Sequence, residues 1–288
     1  MLLRILLLLQ LLTPLYVNAQ MPQIDWYTNS TPPFTLTEGP LKNQGYGDVA
    51  YQQLQQKLSH YRHSRKILDD GNSIAAVKRA ENACSYSLLK TEPRQQFLIF
   101  SKPLYYVLPL GVISLVRNDV SSMLDKQGHF VIPRLVKNEG VIIGKLANRS
   151  YGESLDKQLS ALPEGKNVIT LTANRQFKGL FKMMTLNRID AGLGFAMEAF
   201  YLNKTTPPSQ SGNQVVYYPI KDQPSLTKGY VGCHKGTFGQ QVIRTINANI
   251  DADSIALISK AYQRWLPDNT IQYHQQLTEN PISLVVTP

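Results

Sequence analysis

Residues 87–103 read SLLKTEPRQQFLIFSKP, and this stretch decides the fold. A short strand is predicted near Cys84 to Ser87. Lys90-Thr91-Glu92-Pro93-Arg94 then forms a loop with a single arginine, and Phe97 to Phe100 is predicted as the next strand. A guanidinium on such a loop can grip a carboxylate through two parallel hydrogen bonds. The other reading is a structural ion pair, with Glu92 as its partner. A lone loop arginine points to binding of a small anionic or zwitterionic molecule. It is not by itself a sign of catalysis.

On either side of this stretch, strands alternate with helices. Ile24 to Tyr27 reads as a strand ended by Thr31-Pro32-Pro33. Asp48 is predicted to cap a helix with Val49, Ala50, Leu54, Leu58 and Tyr61 at helical spacing. A second strand falls within Tyr61 to Leu68, and Asn72 or Ser73 caps a second helix. Further strands are predicted at Gly111 to Val116, Val141 to Leu146, Val168 to Leu171, Ile189 to Leu193, Val215 to Ile220 and Tyr230 to Cys233. Helices are predicted at Tyr151 to Leu159, Ala173 to Leu186, Phe238 to Asn249 and Ser254 to Leu266. The tail after Pro267 has weak periodicity and reads as a loose strap. The alternation implies an α/β sheet architecture. It also contains an echo. Helices run into Ala83-Cys84 and, later, into Asp190-Ala191, so two similar lobes could bring their strand ends face to face, where ligands bind.

Met1 to Ala19 has an apolar run, a polar end, and the small residues Val17 and Ala19 before the expected cut. The run is interrupted by Gln10 and Pro14 and falls short of the ~20 residues that span a bilayer. It is read as an export signal, which implies a periplasmic or secreted protein with no membrane insertion after cleavage. The whole chain has 288 residues and a formal charge of +10. The basic residues are scattered, with no run of three, so they read as a solvated surface rather than a nucleic-acid site. An oxidising compartment allows Cys84 and Cys233 to be bridged, while two buried free thiols would pack as small apolar groups. Neither cysteine has partners at metal-ligand spacing, and no cofactor is called for. His60, His63, His129, His234 and His274 lie in scattered contexts, with His60 and His63 expected to face solvent. No Ser-His-Asp order and no phosphate loop stands out.

The 87–103 stretch, together with Pro32-Pro33-Phe34, Gly45-Tyr46-Gly47-Asp48 and Arg188-Ile189-Asp190-Ala191, resembles type 2 periplasmic solute-binding proteins of family 3. These are the amino-acid-binding kind, whose fold also forms the ligand-binding domains of ionotropic glutamate receptors. The resemblance spans roughly residues 22–270. It implies two α/β lobes joined by a hinge of two crossover strands and closing on a ligand. The expected division is a signal over 1–19, lobe 1 over 20–107, lobe 2 over 108–231, and the rest of lobe 1 with the tail over 232–288. Carried over, Arg94 grips the ligand carboxylate, and Ser87 and Thr91 lie beside it. Arg149 and Ser150 meet the carboxylate from lobe 2, where a helix start favours an anion. Tyr27 and Phe34 form part of the lobe 1 wall, and Tyr230 lies on the returning crossover strand.

Two positions depart from the family. Leu89 stands where amino-acid binders have a small hydroxyl residue, and Phe195 stands where they place an acid for the ligand's amino group. Glu198, three residues later, is the candidate substitute. The family implies a monomer that hands its solute to an ABC permease or a sensor kinase. Two rival functions use the same scaffold. One is an orphan sensory or adaptor module. The other is a dehydratase-like enzyme, for which Glu92 and Glu198 are the available acids.

Overall fold

The computed structural model describes residues 21–68, 70–137, 140–147, 149, 151–163, 165–172, 177–205 and 214–279. The predicted export signal lies outside them. Among the described residues, no helix is long and apolar enough to cross a membrane.

Among the described residues, ten strands form two five-stranded mixed sheets. Sheet A takes β1 (Gln23–Thr28), β2 (Arg62–Ile67), β3 (Ala83–Leu88), β4 (Leu98–Val107) and β10 (Thr227–His234), in the order β2-β1-β3-β10-β4. Sheet B takes β5 (Gly111–Leu115), β6 (Ile143–Leu146), β7 (Val168–Leu171), β8 (Ala191–Gly194) and β9 (Val215–Tyr218), in the order β7-β6-β8-β5-β9. In each sheet three parallel strands are followed by one antiparallel strand, β10 or β5, and then by a strand, β4 or β9, that again runs with the first three. This repeat is the physical basis of the echo in the sequence. β3 and β8 hold the same place in their sheets, and the residue before each strand is tied to the neighbouring strand. Asp25 N–H donates to the Asn82 carbonyl at 3.0 Å, and Ile142 N–H to the Asp190 carboxylate at 2.8 Å.

The chain passes between the sheets twice, at 108–110 and at 219–226, which gives the two-lobed architecture of type 2 periplasmic binding proteins. The first passage is held from both sides. Leu108 N–H donates to the Tyr262 hydroxyl at 3.0 Å, and the Tyr217 hydroxyl donates to the Pro109 carbonyl at 3.0 Å. Burial raises the pKa of both phenols, so they remain neutral hydrogen-bonding groups.

The helices cover the sheets through apolar faces. In α1 (Tyr46–Lys57), Ala50, Tyr51 and Leu54 are buried together with Leu58 at the C-cap. Asp48 does not stand at the N-cap, as the sequence suggested. Gly45 does, and Asp48 reaches back from the third helical position to accept the Gly45 N–H at 2.9 Å. The same carboxylate accepts the Leu36 N–H at 3.0 Å and pairs with Arg65 at 2.5 Å. α2 (Asp70–Arg79), α4 (Glu153–Ser160), α5 (Phe177–Thr185), α7 (Thr237–Asn249) and α8 (Ala252–Gln263) follow the predicted places with shifted ends. The short α3 (Glu92–Gln95) occupies the arginine loop. α6 (Ala196–Thr205) is a helix that the sequence expectations lack.

The tail is a correction. α9 (Asp268–Glu279) is a helix rather than a loose strap. Ile271, Tyr273 and Leu277 pack against the core, and His274 is fully buried. The imidazole contacts the Tyr106 carbonyl at 3.0 Å and Gln263 at 3.2 Å. A histidine at the centre of the buried face hid the helical period. His63 is a second correction, since it does not face solvent. Its Nδ1 accepts from Trp26 Nε1 at 2.9 Å, its other nitrogen meets the Leu58 carbonyl at 3.1 Å, and the two rings stack 3° from parallel.

Cys84 and Cys233 are joined in a disulfide. They face each other across the antiparallel β3–β10 pair and are fully buried. The bridge links positions 149 residues apart, and all of sheet B lies inside that loop.

Candidate ligand-binding cleft

The candidate residues fall into two groups, one on each sheet. On sheet A, β1, β2 and β3 are parallel, so their carboxyl ends share one edge. The 87–103 stretch leaves that edge. Ser87, the penultimate residue of β3, pairs its hydroxyl with Ser85 at 3.1 Å. Thr91 caps α3 through its backbone, its carbonyl accepting the Gln95 N–H at 3.0 Å, and its side chain is exposed. Pro93 lies in the first turn, where its missing N–H leaves no bond unmade. Arg94 turns back on the loop, and its guanidinium donates to the Leu89 carbonyl at 2.8 Å. The arginine is thereby tied to the end of β3.

Tyr230 sits opposite Leu88 and Pro103 in β10, at an irregularity of the ladder. Its ring meets Phe100 edge-on at 6.2 Å and is half-buried. Tyr27 is half-buried near the end of β1, with the Lys66 ammonium 5.2 Å above its ring and 3.4 Å from its hydroxyl. Phe34, expected in the lobe 1 wall, is buried. It is only 6% exposed and packs among Tyr46, Tyr86 and Tyr105. The double proline that precedes it marks the entry to this aromatic core.

On sheet B, Arg149 follows β6. Its guanidinium lies 3.4 Å from the Glu198 carboxylate and 5.2 Å above the Phe195 ring. Glu198 also accepts the Phe195 N–H at 3.2 Å, which stabilises the start of α6. One carboxylate therefore serves as helix cap and arginine partner. Tyr151 braces the same corner, since its hydroxyl accepts the Leu146 N–H at 2.6 Å and its own N–H donates to Asp156 at 2.8 Å. A cavity of about 360 Å³ opens here, lined among others by Lys145, Arg149, Tyr151, Asp156 and Thr170. Ser150 lies outside the described residues.

Sequence reasoning missed the supporting partners. Lys66 under Tyr27, Phe195 under Arg149 and the Tyr151 brace carry no local motif. Only the three-residue spacing from Phe195 to Glu198 signalled a cap. Among the described residues, no group of three or more His, Cys, Asp or Glu could hold a metal ion.

No family model and no curated protein matches the chain. Solved structures do. A probable amino-acid ABC transporter extracellular-binding protein, YtmK from Bacillus subtilis, is 17% identical with a TM-score of 0.62, over 86% of this chain and 100% of that one. The second substrate-binding domain of Lactococcus lactis GlnP, in its open conformation, is 15% identical with a TM-score of 0.60, over 86% and 96%. The periplasmic VFT2 domain of Bordetella pertussis BvgS is 18% identical with a TM-score of 0.58, over 86% and 94%. With two sheets of repeated order, two passages between them and these structural neighbours, the chain has the two-lobed fold of type 2 periplasmic solute-binding proteins.

Proposed function

We propose that this chain is an exported solute-binding protein that captures a small carboxylate-bearing solute, amino-acid-like or an organic acid, between its lobes. The observation that carries this reading is the position of Arg94. It is tied at 2.8 Å to the strand-end carbonyl of Leu89, at the carboxyl edge of parallel strands in a fold whose neighbours are substrate-binding proteins. In open α/β sheets this edge is where ligands settle. Ser87, Thr91 and Tyr230 belong to the same neighbourhood, and Arg149, Ser150 and Glu198 offer the second jaw. Tyr27 stands at the margin through Lys66.

The lobes divide near 107/108 and again at the start of β10. The strand assignments support the first boundary. The second moves ahead of 231, because Thr227–His234 is one continuous strand of sheet A. The solute passes to a membrane partner, an ABC permease or a sensor kinase, and the protein works in the periplasm as a monomer. A non-enzymatic role is supported by the structural neighbours, which are substrate-binding proteins.

The test is direct. The purified protein is unfolded, its retained solute extracted, and the solute identified by mass spectrometry. Returned to the stripped protein, a carboxylate-bearing solute raises Tm and reduces the radius of gyration in solution scattering. If solutes without an anionic group do this and carboxylates do not, the reading is wrong.

A further inference from the structure

α6 is built on the sheet B lobe and leans on the sheet A lobe. It packs against β5, β9 and α5. Two of its side chains also reach across: the Tyr201 ring meets Trp265 edge-on at 5.6 Å, and the Lys204 ammonium lies 5.6 Å over the same indole. Tyr201 and Lys204 are three residues apart, so they share a side of the helix. Trp265 lies just past α8, which packs on α1 and β4. Its backbone N–H donates to the Tyr262 carbonyl at 2.9 Å, and Tyr262 pins the first passage between the sheets. The indole therefore belongs to the sheet A lobe beside the hinge, and it is only 3% exposed.

This contact is balanced between opposing effects. The ring pair, the ammonium over the indole and the removal of apolar surface from water all favour it. Against it stands Trp265 Nε1, which is buried with no hydrogen-bond acceptor among the described residues. A buried donor without a partner opposes the packed state, and lifting α6 away returns that donor to water. Trp26 is the contrast. Its Nε1 donates to His63 at 2.9 Å within sheet A, so movement of the lobes leaves that bond intact.

We infer that Tyr201, Lys204 and Trp265 form a reversible latch between the lobes, made in this conformation and released when the sheet B lobe rotates away from α8. Glu198 sits one turn before Tyr201 on α6 and lies 3.4 Å from Arg149. One helix thus joins the latch to the candidate second jaw, so a shift at one end moves the other. The inference rests on the two-lobed fold and not on what the cleft holds.

Interlobe distances measured by electron spin resonance on the purified, solute-stripped protein test this. The two native cysteines are paired, so spin labels attach selectively at Ser59→Cys and Lys157→Cys, both exposed and one on each lobe. The latched protein gives one main distance. Tyr201→Ala raises a second population relative to it by about two- to twelvefold, the weight of one aromatic pair. Lys204→Gln, at an exposed position, acts in the same direction and less. Loss of local packing alone would not change the distance between the lobes. An unchanged distribution in both variants overturns the latch, and so does a gain of the main population. Neither result touches the solute-binding reading, which is tested separately with the extracted solute.

Discussion

Asp48 shows how one residue can hold a lobe together. Its side chain is 1% exposed, yet it carries three partners: Gly45 N–H, Leu36 N–H and the Arg65 guanidinium. Arg65 is itself stacked 5.0 Å over the Tyr51 ring. Removing one member of such a buried pair leaves the other charge uncompensated, a change of about 3–5 kcal/mol. Asp48→Ala should therefore lower the urea-unfolding free energy by that order. A loss under about 1 kcal/mol, within the range of surface pairs, would show that Arg65 finds water instead. Arg149 and Glu198 differ, because their closest approach is 3.4 Å and both side chains keep some exposure. That pair is a weak latch, loose enough to be rearranged by a ligand.

At the level of elements, the β3–β10 disulfide closes a loop of 149 residues around sheet B. In the chain-entropy account, such a loop stabilises by about 5 kcal/mol, through the unfolded state. The double variant Cys84→Ala, Cys233→Ala should lose stability of that order in equilibrium unfolding, and an unchanged midpoint would refute the account. The buried histidines supply a pH dependence. Burial lowers the pKa of His274 and of His63 below the ordinary 6.5. The unfolded chain then binds more protons than the folded one as pH drops through 6.5. Stability is full above that value and is lost as pH falls toward the lowered folded values. Tm should decline between pH 7 and 5, and less so in His274→Gln. Equal declines in both proteins would remove His274 from the explanation.

Legibility followed the same physics. The ends of β7 are legible in the sequence, since Val168 to Leu171 is a short, mostly apolar run between turn residues. The sequence places the end of β4 at Phe100, but the strand continues to Val107 through Pro103. Proline discouraged that extension, yet β4 is an edge strand, where a missing N–H is tolerated. α9 escaped because His274 occupies its buried stripe. Of the site, the Arg94 loop was legible as a motif. The Lys66, Phe195 and Tyr151 contacts were not, because they join residues that only the folded sheets bring together.

Over the whole molecule, the repeated strand order matters more than any single contact. Two sheets of the same design meet through two short passages, and the first is pinned by one tyrosine from each side, Tyr262 and Tyr217. α6 and the end of α8 add a further bridge, where Tyr201 meets Trp265 edge-on at 5.6 Å. Such an arrangement lets the lobes move as units about a small number of residues. Arg94 lies on a one-turn helix outside the core, so its loss should cost the fold little beyond its bond to the Leu89 carbonyl. The deciding measurement is the thermal shift produced by the retained solute on wild type and on Arg94→Ala. The unliganded Tm should differ little between them, while the solute raises Tm in wild type only, reflecting about 2–5 kcal/mol of lost grip. Equal stabilisation of the variant by the same solute would contradict the account.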